Sequence, residues 1–178
     1  LATLDAGKKL EQALEAKKVV VDFLINNAGF GTSGRLVNEN RDEVQREVVL
    51  NVATLVDLTT AYLPKMMKRD SGAIINIAST AGLKGYAYVS AYVAAKHGVV
   101  GLTKALALEL ARKGVTVNAI CPGYTETDIV REAVSNIVAK TGKSEAEARQ
   151  ALAASNPQQR LVQPQEVAQS VLWLCAAG

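Results

Sequence analysis

The sequence predicts an α/β fold in which a parallel sheet is covered by helices. The first observation is a short run at residues 19–25 that is apolar without alternation. Strands of parallel sheets have this composition because helices bury both of their faces. The second observation is that further apolar strands, near residues 73–78 and 115–120, alternate with long helical stretches. This alternation is typical of a parallel sheet with right-handed crossovers.

The helices before and between these strands are predicted by the spacing of apolar residues. Residues 10–17 have the pattern of the end of an amphipathic helix that precedes the first strand. Residues 39–69 and 90–112 are rich in Ala, Leu and Val at helical spacing, so each stretch is predicted to connect two strands.

The last third of the chain is predicted to be helical. Residues 127–154 have a less regular helical pattern that is broken at Thr141 and Gly142. Pro164 then predicts the start of a final helix that runs to about residue 174, because proline suits the first helical position.

Composition restricts the class of protein. A chain of 178 residues, 49% of them hydrophobic, has the size of one globular domain. The net charge of +3 is small, and the basic residues are interspersed with acidic ones, which argues against a nucleic-acid surface. No apolar run is long enough for a membrane span, and the first residues do not have the pattern of a secretory signal. Two cysteines without metal-type spacing suggest free thiols in the cytoplasm.

Three residues suggest proton-transfer chemistry. Tyr92 and Lys96 are four residues apart in a predicted helix and therefore share one face. A nearby ammonium favours the ionised form of a phenol, which can make a tyrosine a proton donor or acceptor. Ser79 follows an apolar strand, at the end where open α/β sheets bind their ligands. The tyrosine and lysine also occur together on ordinary helices, so the surrounding residues decide the interpretation.

These residues belong to a longer series of motifs. In order, the chain has Asn26-Asn27-Ala28-Gly29, then Asn51 in a helix, then Ser79 with Tyr92 and Lys96, and then Pro122-Gly123. The series resembles the short-chain dehydrogenase/reductase family, and the resemblance covers essentially the whole chain. It implies a Rossmann-type, doubly wound, three-layer fold, a nicotinamide cofactor (NAD or NADP), and hydride transfer between a ketone and a secondary alcohol.

The resemblance also assigns roles to residues. Tyr92 would exchange the proton, Ser79 would bind the substrate oxygen, and Lys96 would lower the pKa of Tyr92 and hold the cofactor ribose. Asn51 would lie at a helix distortion that supports a water-mediated proton path, and Asn26 would brace neighbouring strands. The cofactor would contact Asn27, Ala28, Gly29, Tyr92, Lys96, Pro122, Gly123, Thr125 and Thr127.

Relative to the family, the chain lacks the opening strand with its glycine-rich turn and the last strand. We therefore interpret residues 1–178 as one truncated domain of a longer parent, in which residues 128–160 form the helical lid over the substrate. The choice between NAD and NADP would depend on residues before Leu1.

Three other patterns are interpreted as decoys. Residues 29–34 match the dinucleotide fingerprint, but no helix opens within the glycines. Residues 141–144 imitate the end of a phosphate-binding loop, but Ile137 stands where its first glycine belongs. His97 is the only histidine, so neither a histidine-based triad nor a zinc site is expected, and no metal ligand set is predicted.

Two functions remain open at this point. The first is an NAD(P)-dependent oxidoreductase whose substrate is a small carbonyl or alcohol compound, with a 3-oxoacyl-type ketone ranked slightly ahead of other ketones. The second is a non-catalytic binding or regulatory module with the same fold. The two helical stretches carry more apolar residues than one sheet face covers, which together with the resemblance predicts a homodimer or homotetramer.

Overall fold

The computed structural model describes residues 1–176. They form two compact units, one of residues 1–121 with 171–176 and one of residues 122–170. Among the described residues, no helix is both long enough and apolar enough to cross a membrane.

The first unit contains a parallel three-stranded sheet in the order β1-β2-β3. The strands are β1 (Phe23–Asn26), β2 (Gly72–Ile77) and β3 (Val115–Ile120). The predicted alternation of strands and helices is therefore confirmed. Asn26 donates a hydrogen bond to Oδ1 of Asn76 across β1 and β2 at 2.9 Å, which confirms its predicted bracing role.

Four helices accompany these strands. They are α1 (Ala6–Ala16), α2 (Arg41–Val48), α3 (Thr54–Arg69) and α4 (Ser90–Glu109). A π-helical turn at Val49–Ala53 joins α2 to α3, and short 3-10 turns lie at Leu36–Asn38 and Thr80–Gly82.

An apolar core forms where α3 and the end of α4 meet the sheet. It consists of Leu24, Leu58, Tyr62, Met66, Ile74, Leu110, Val115 and Val117. A second cluster, of Leu55, Ala78, Val99 and Val100, lies between α3, α4 and the end of β2. These clusters fix α3 and α4 against the sheet and thereby place the carboxyl end of β2 beside the start of α4.

The first strand differs from its prediction. The prediction placed residues 19–25 in the strand, but β1 begins only at Phe23. Phe23 pairs with Ala73, and β2 begins one residue earlier, at Gly72, so residues 19–21 have no residues of β2 to pair with. Burial alternates along β1, and Phe23 and Ile25 are about half exposed. Helix α3 packs against the face of β1 that carries Leu24. The other face remains exposed, so the prediction that both faces are buried is wrong for this strand.

The second unit is helical, with α5 (Asp128–Thr141), α6 (Glu145–Ala153) and the start of α7 (Pro164–Ala176). Its core is formed by Val130, Val134, Ala148 and Leu152. The break at residues 141–144 is a helix boundary. Gly142 ends α5 with a φ of 70°, and Ser144 begins α6 with a capping box to Glu147. Residues 141–144 therefore resemble a phosphate-binding loop because glycine and serine cap the two helices here.

Candidate active site

Ser79 and Tyr92 meet at the carboxyl end of β2. Ser79 begins the 3-10 turn Thr80–Gly82, and its Oγ accepts a hydrogen bond from the Ala81 amide at 3.1 Å. Tyr92 lies in the first turn of α4, and the Ser79 side chain is near enough to its hydroxyl to lower the pKa of the phenol. The structure thus brings Ser79 and Tyr92 together at the end of β2, and their shared contact with one substrate oxygen stays a prediction.

Gly82 allows the 3-10 turn to approach α4 closely. A Cβ at this position would lie 2.6 Å from the carbonyl oxygen of Lys96 and 2.9 Å from a methyl group of Val100. Real Cβ atoms do not make contacts this short to a backbone oxygen, so a larger residue would push the turn and Ser79 away from α4.

Lys96 is buried, with 5% of its surface exposed. Its Nζ donates a hydrogen bond to the carbonyl oxygen of Ile77 at 2.8 Å and lies 5.5 Å from the centre of the Tyr92 ring. Burial lowers the pKa of Lys96 to about 8, because a desolvated ammonium is disfavoured. At neutral pH the side chain is thus mostly charged but loses its proton more readily than an exposed lysine.

The pKa of Tyr92 is raised in this structure, whereas the resemblance implied that Lys96 would lower it. Burial is the main cause of the rise, and the negative charge of Glu47 adds to it. The nearby Ser79 side chain acts in the opposite direction and lowers the pKa of Tyr92. Desolvation of the phenolate therefore outweighs the stabilising contacts around this hydroxyl.

Asn51 lies within the π-helical turn Val49–Ala53, so the predicted helix distortion is confirmed. Its side-chain nitrogen donates to the carbonyl oxygens of Phe30 at 2.7 Å and Glu47 at 2.9 Å. Its Oδ1 is buried and has no hydrogen-bond partner among the described residues. The π-helical turn thus carries a buried amide oxygen that has no partner among the described residues and lies beside the Gly29 backbone.

The segment after β1 passes over these side chains. Asn27 and Ala28 are exposed at the end of the strand. A Cβ at Gly29 would lie 2.6 Å from Oδ1 of Asn51 and 3.7 Å from Nζ of Lys96. A Cβ at Gly31 would lie 3.1 Å from the Tyr92 ring. These glycines are therefore explained by close packing on the site, and no helix opens among them as the dinucleotide fingerprint requires.

The other predicted cofactor residues, Pro122, Gly123, Thr125 and Thr127, lie in the second unit and are all partly exposed. Within that unit, Thr125 donates to the Gly123 carbonyl oxygen at 3.0 Å, and Thr127 donates to the Thr125 carbonyl oxygen at 3.2 Å. Thr127 is also the N-cap residue of α5.

Sequence reasoning did not find two buried polar residues, Glu47 and Asn156. Glu47 is fully buried, and its Oε2 accepts hydrogen bonds from the amide and hydroxyl of Thr32 at 3.0 and 2.7 Å. Its position four residues before Asn51, which places both on one helix face, was the available signal. Asn156 contacts the backbone around Tyr124.

Two further observations concern the histidine and possible metal ligands. His97 is exposed, and its Nδ1 pairs with the carbonyl oxygen of Val93 at 2.9 Å, so it lies on the outer side of α4. Residues 1–176 contain no cluster of three or more His, Cys, Asp or Glu side chains that could hold a metal ion.

Comparison with known proteins identifies the family. Residues 1–138 match the family model described as short chain dehydrogenase. "Nodulation protein G" of Azospirillum brasilense is 39% identical over 99% of this chain and 67% of its own length. The "Putative ketoacyl reductase" of Streptomyces coelicolor is 46% identical over 89% of this chain and 61% of its own.

A solved structure, F189W actinorhodin polyketide ketoreductase with NADPH, superimposes with a TM-score of 0.89. It is 38% identical in sequence, and the match covers 98% of this chain and 67% of that chain. The chain thus spans about three fifths to two thirds of the length of the proteins it matches. With its sheet, its motif order and more than half of its length matched, the chain belongs to the short-chain dehydrogenase family.

Proposed function

We propose that the full-length protein is an NAD(P)-dependent oxidoreductase that interconverts a ketone and a secondary alcohol. The observation that carries this proposal is the grouping of three side chains: Ser79 acts on the Tyr92 hydroxyl, and Lys96 Nζ lies 5.5 Å from the centre of the Tyr92 ring. The ketoreductases among the similar proteins support the same reaction class. No observation favours a non-catalytic module.

A nicotinamide cofactor fits the donor groups of the site. Lys96 Nζ has three N–H donors and uses one for the Ile77 carbonyl oxygen, so it can also donate to the hydroxyls of a ribose. Asn27, Ala28 and Gly29 offer short side chains and backbone at the carboxyl end of β1, where open parallel sheets bind nucleotides. Pro122, Gly123, Thr125 and Thr127 are assigned to the nicotinamide and phosphate side by family resemblance. When bound, the cofactor supplies or accepts a hydride.

The side chains of this chain handle the proton. In the reducing direction, Tyr92 Oη donates its proton to the substrate oxygen, and Ser79 Oγ stabilises that oxygen as negative charge develops. Lys96 holds a positive charge beside the ring when Tyr92 becomes a phenolate. Asn51 Oδ1, buried and without a partner among the described residues, suits one end of a water-mediated path by which Lys96 recovers its proton.

A 3-oxoacyl-type ketone is the substrate class that we rank first. The names of the similar ketoreductases support it. The sequence of residues 160–168, Arg-Leu-Val-Gln-Pro-Gln-Glu-Val-Ala, also resembles that of acyl-thioester and polyketide ketoreductases. We assign substrate selection to residues 128–160, which form a helical pair with an apolar core. Kinetic assays of the full-length protein with a panel of ketones, each with NADH and with NADPH, will identify the substrate and the cofactor.

The proton role is tested by Tyr92→Phe, with Tyr88→Phe as a control. Both changes remove one hydroxyl, but Tyr88 is 61% exposed. Loss of a positioned general acid should lower kcat by roughly 10²- to 10⁴-fold while cofactor binding persists. The control should retain parent activity. Turnover of Tyr92→Phe within about twofold of the parent would show that Tyr92 does not transfer the proton.

We also propose that the full-length protein is a homodimer or homotetramer in the cytoplasm. Val48 and Val56 remain 40% and 39% exposed on α2 and α3, which leaves apolar surface for a second copy. Both cysteines are free, as expected in a reducing compartment. Light scattering that gives a monomer at micromolar concentration would contradict the assembly.

A further inference from the structure

We propose that Glu47 is a positioning residue for Tyr92: its carboxylate fixes the segment of residues 29–34 against the Tyr92 ring. The catalytic consequence rests on the function proposed above. The structural and electrostatic parts concern the protein itself and can be measured without turnover.

The first support is the burial of Glu47. Its side chain lies on α2 and is fully buried, which is rare for a glutamate that has no cationic partner. Oε1 has no hydrogen-bond partner among the described residues, so the carboxylate is held by Thr32 alone. A buried acceptor without a partner destabilises the fold, so packing alone does not explain this glutamate.

The second support is the geometry of the segment that Glu47 holds. Both donors of Thr32, its amide and its hydroxyl, bind the same Oε2. The preceding glycine, Gly31, lies so close to Tyr92 that a Cβ would be 3.1 Å from its ring. The carboxylate therefore anchors the chain one residue after the point at which the chain packs on Tyr92.

The backbone of Glu47 joins the same region. Its carbonyl oxygen accepts the Asn51 side-chain amide, which also binds the carbonyl oxygen of Phe30. Residues 30 and 32 are thus attached to α2 and the π-helical turn by three hydrogen bonds, two to Glu47 Oε2 and one from Asn51 Nδ2. Movement of Glu47 would disturb Asn51 and the segment over Tyr92 together.

The third support is electrostatic. The Glu47 charge acts on Tyr92 and raises the pKa of the phenol. The pKa of Glu47 is itself raised, chiefly by burial, with the Glu39 carboxylate adding to the rise and Thr32 opposing it. Other charges near the group are Lys96, beside Tyr92, and the exposed Glu43 and Arg46 on its own helix.

The sign of the effect follows from these charges. At the alkaline pH where a tyrosine ionises, Glu47 is already an anion, and it disfavours a second negative charge on Tyr92. Glu47→Gln removes the charge but keeps an oxygen that can accept both Thr32 hydrogen bonds. The Tyr92 hydroxyl in this variant should therefore ionise about half to one pH unit lower than in the parent.

The charge is tested by titrating tyrosinate absorbance of the full-length protein, with the spectrum of Tyr92→Phe subtracted. The control is Glu43→Gln, which removes an exposed glutamate from the same helix and should shift the transition by less than about 0.2 pH unit. An equally small shift for a folded Glu47→Gln variant would overturn the electrostatic role. In alcohol oxidation Tyr92 must be deprotonated to accept the proton, so the acid-side limb of kcat/KM should move to lower pH by the same amount.

The clamp is tested separately by hydrogen exchange at residues 29–34. Thr32→Val removes one of the two hydrogen bonds to Oε2 and should increase amide exchange in this segment at least tenfold, whereas Thr32→Ser should behave like the parent. Unchanged exchange in Thr32→Val would overturn the clamp, even if Glu47→Gln did not fold. If no ketone or alcohol were turned over, the proposed oxidoreductase function would fail, while the titration and exchange results would still decide the role of Glu47.

Discussion

Asn156 should control the turn that contains Gly123 and Tyr124. It follows α6, is 6% exposed, and makes three hydrogen bonds to backbone groups of its own unit. Its Oδ1 accepts from the Tyr124 amide at 2.9 Å, and its Nδ2 donates to the carbonyl oxygens of Tyr124 and Arg160 at 2.9 and 2.7 Å. The fit is tight, because a Cβ at Gly123 would lie 2.2 Å from Oδ1.

Asn156→Ala removes all three bonds at once. With a net contribution of about 0.5–1.5 kcal/mol each, the local free energy of opening should fall by about 2–4 kcal/mol. Hydrogen exchange of the Tyr124 amide should therefore accelerate by roughly thirty- to a thousandfold. The matched control is Ser155→Ala, because Ser155 is exposed and its single side-chain contact, to Ala151, is 3.5 Å long. A change of less than threefold in the Asn156 variant would refute the reasoning.

Asn156→Asp separates the role of Oδ1, which accepts a hydrogen bond, from that of Nδ2, which donates two. The carboxylate can still accept from the Tyr124 amide, but it faces two carbonyl oxygens that require donors. These oxygens disfavour the charge, so the folded-state pKa of the new acid is expected above its unfolded value. Its protonated form restores one donor at low pH, and this stabilisation is lost as pH rises through the folded pKa. Urea unfolding should show a smaller deficit at pH 4 than at pH 7, and equal deficits would contradict the assignment.

Two further predictions concern the first unit. Lys96→Met should raise the free energy of unfolding at pH 7 by about 1–3 kcal/mol. A pKa lowered from 10.5 to about 8 means that burying the charged lysine costs about 3 kcal/mol, which the variant avoids. Loss of the hydrogen bond to the Ile77 carbonyl oxygen offsets part of this gain. The advantage should shrink between pH 8 and pH 10.5 in urea titrations, because there the unfolded lysine still binds a proton that the folded lysine has lost, so the parent gains stability as pH rises. Gly29→Ala should lower the melting temperature, because its Cβ would lie 2.6 Å from Asn51 Oδ1. The control is Gly85→Ala, whose Cβ would have no atom within 4 Å and which should not lower the melting temperature. Equal effects of the two changes would argue against close packing at Gly29.

Strand limits could be predicted where residues that disfavour strands flank the apolar run. The apolar run of β3 is bounded by Gly114 and by Cys121-Pro122, and the predicted strand matches Val115–Ile120. Residues 19–22 have the same composition, but they lie outside β1 because pairing starts only where β2 begins at Gly72. Strand limits depend on a partner that is distant in sequence, which local composition does not encode.

The helices show a similar limit. Residues 39–69 have one helical pattern, and the π-helical turn at Val49–Ala53 changes the hydrogen bonding without breaking that pattern. The family resemblance predicted the distortion at Asn51, whereas periodicity did not. Glu47 lies four residues before Asn51, which was a signal for a shared face, but composition did not predict its burial because α2 is otherwise mostly charged.

The buried polar groups of the candidate site make a costly contribution to folding. Lys96, Glu47 and Asn51 are all buried, and the last two each have an oxygen without a hydrogen-bond partner among the described residues. Burial moves the pKa values of Lys96 and Glu47 toward neutrality, and apolar residues of similar size would avoid that penalty. These residues adjoin the segment that passes over Tyr92, whereas the main apolar cluster lies between α3 and the sheet. The rigid core can therefore support polar groups whose arrangement is unfavourable for folding and suitable for moving a proton.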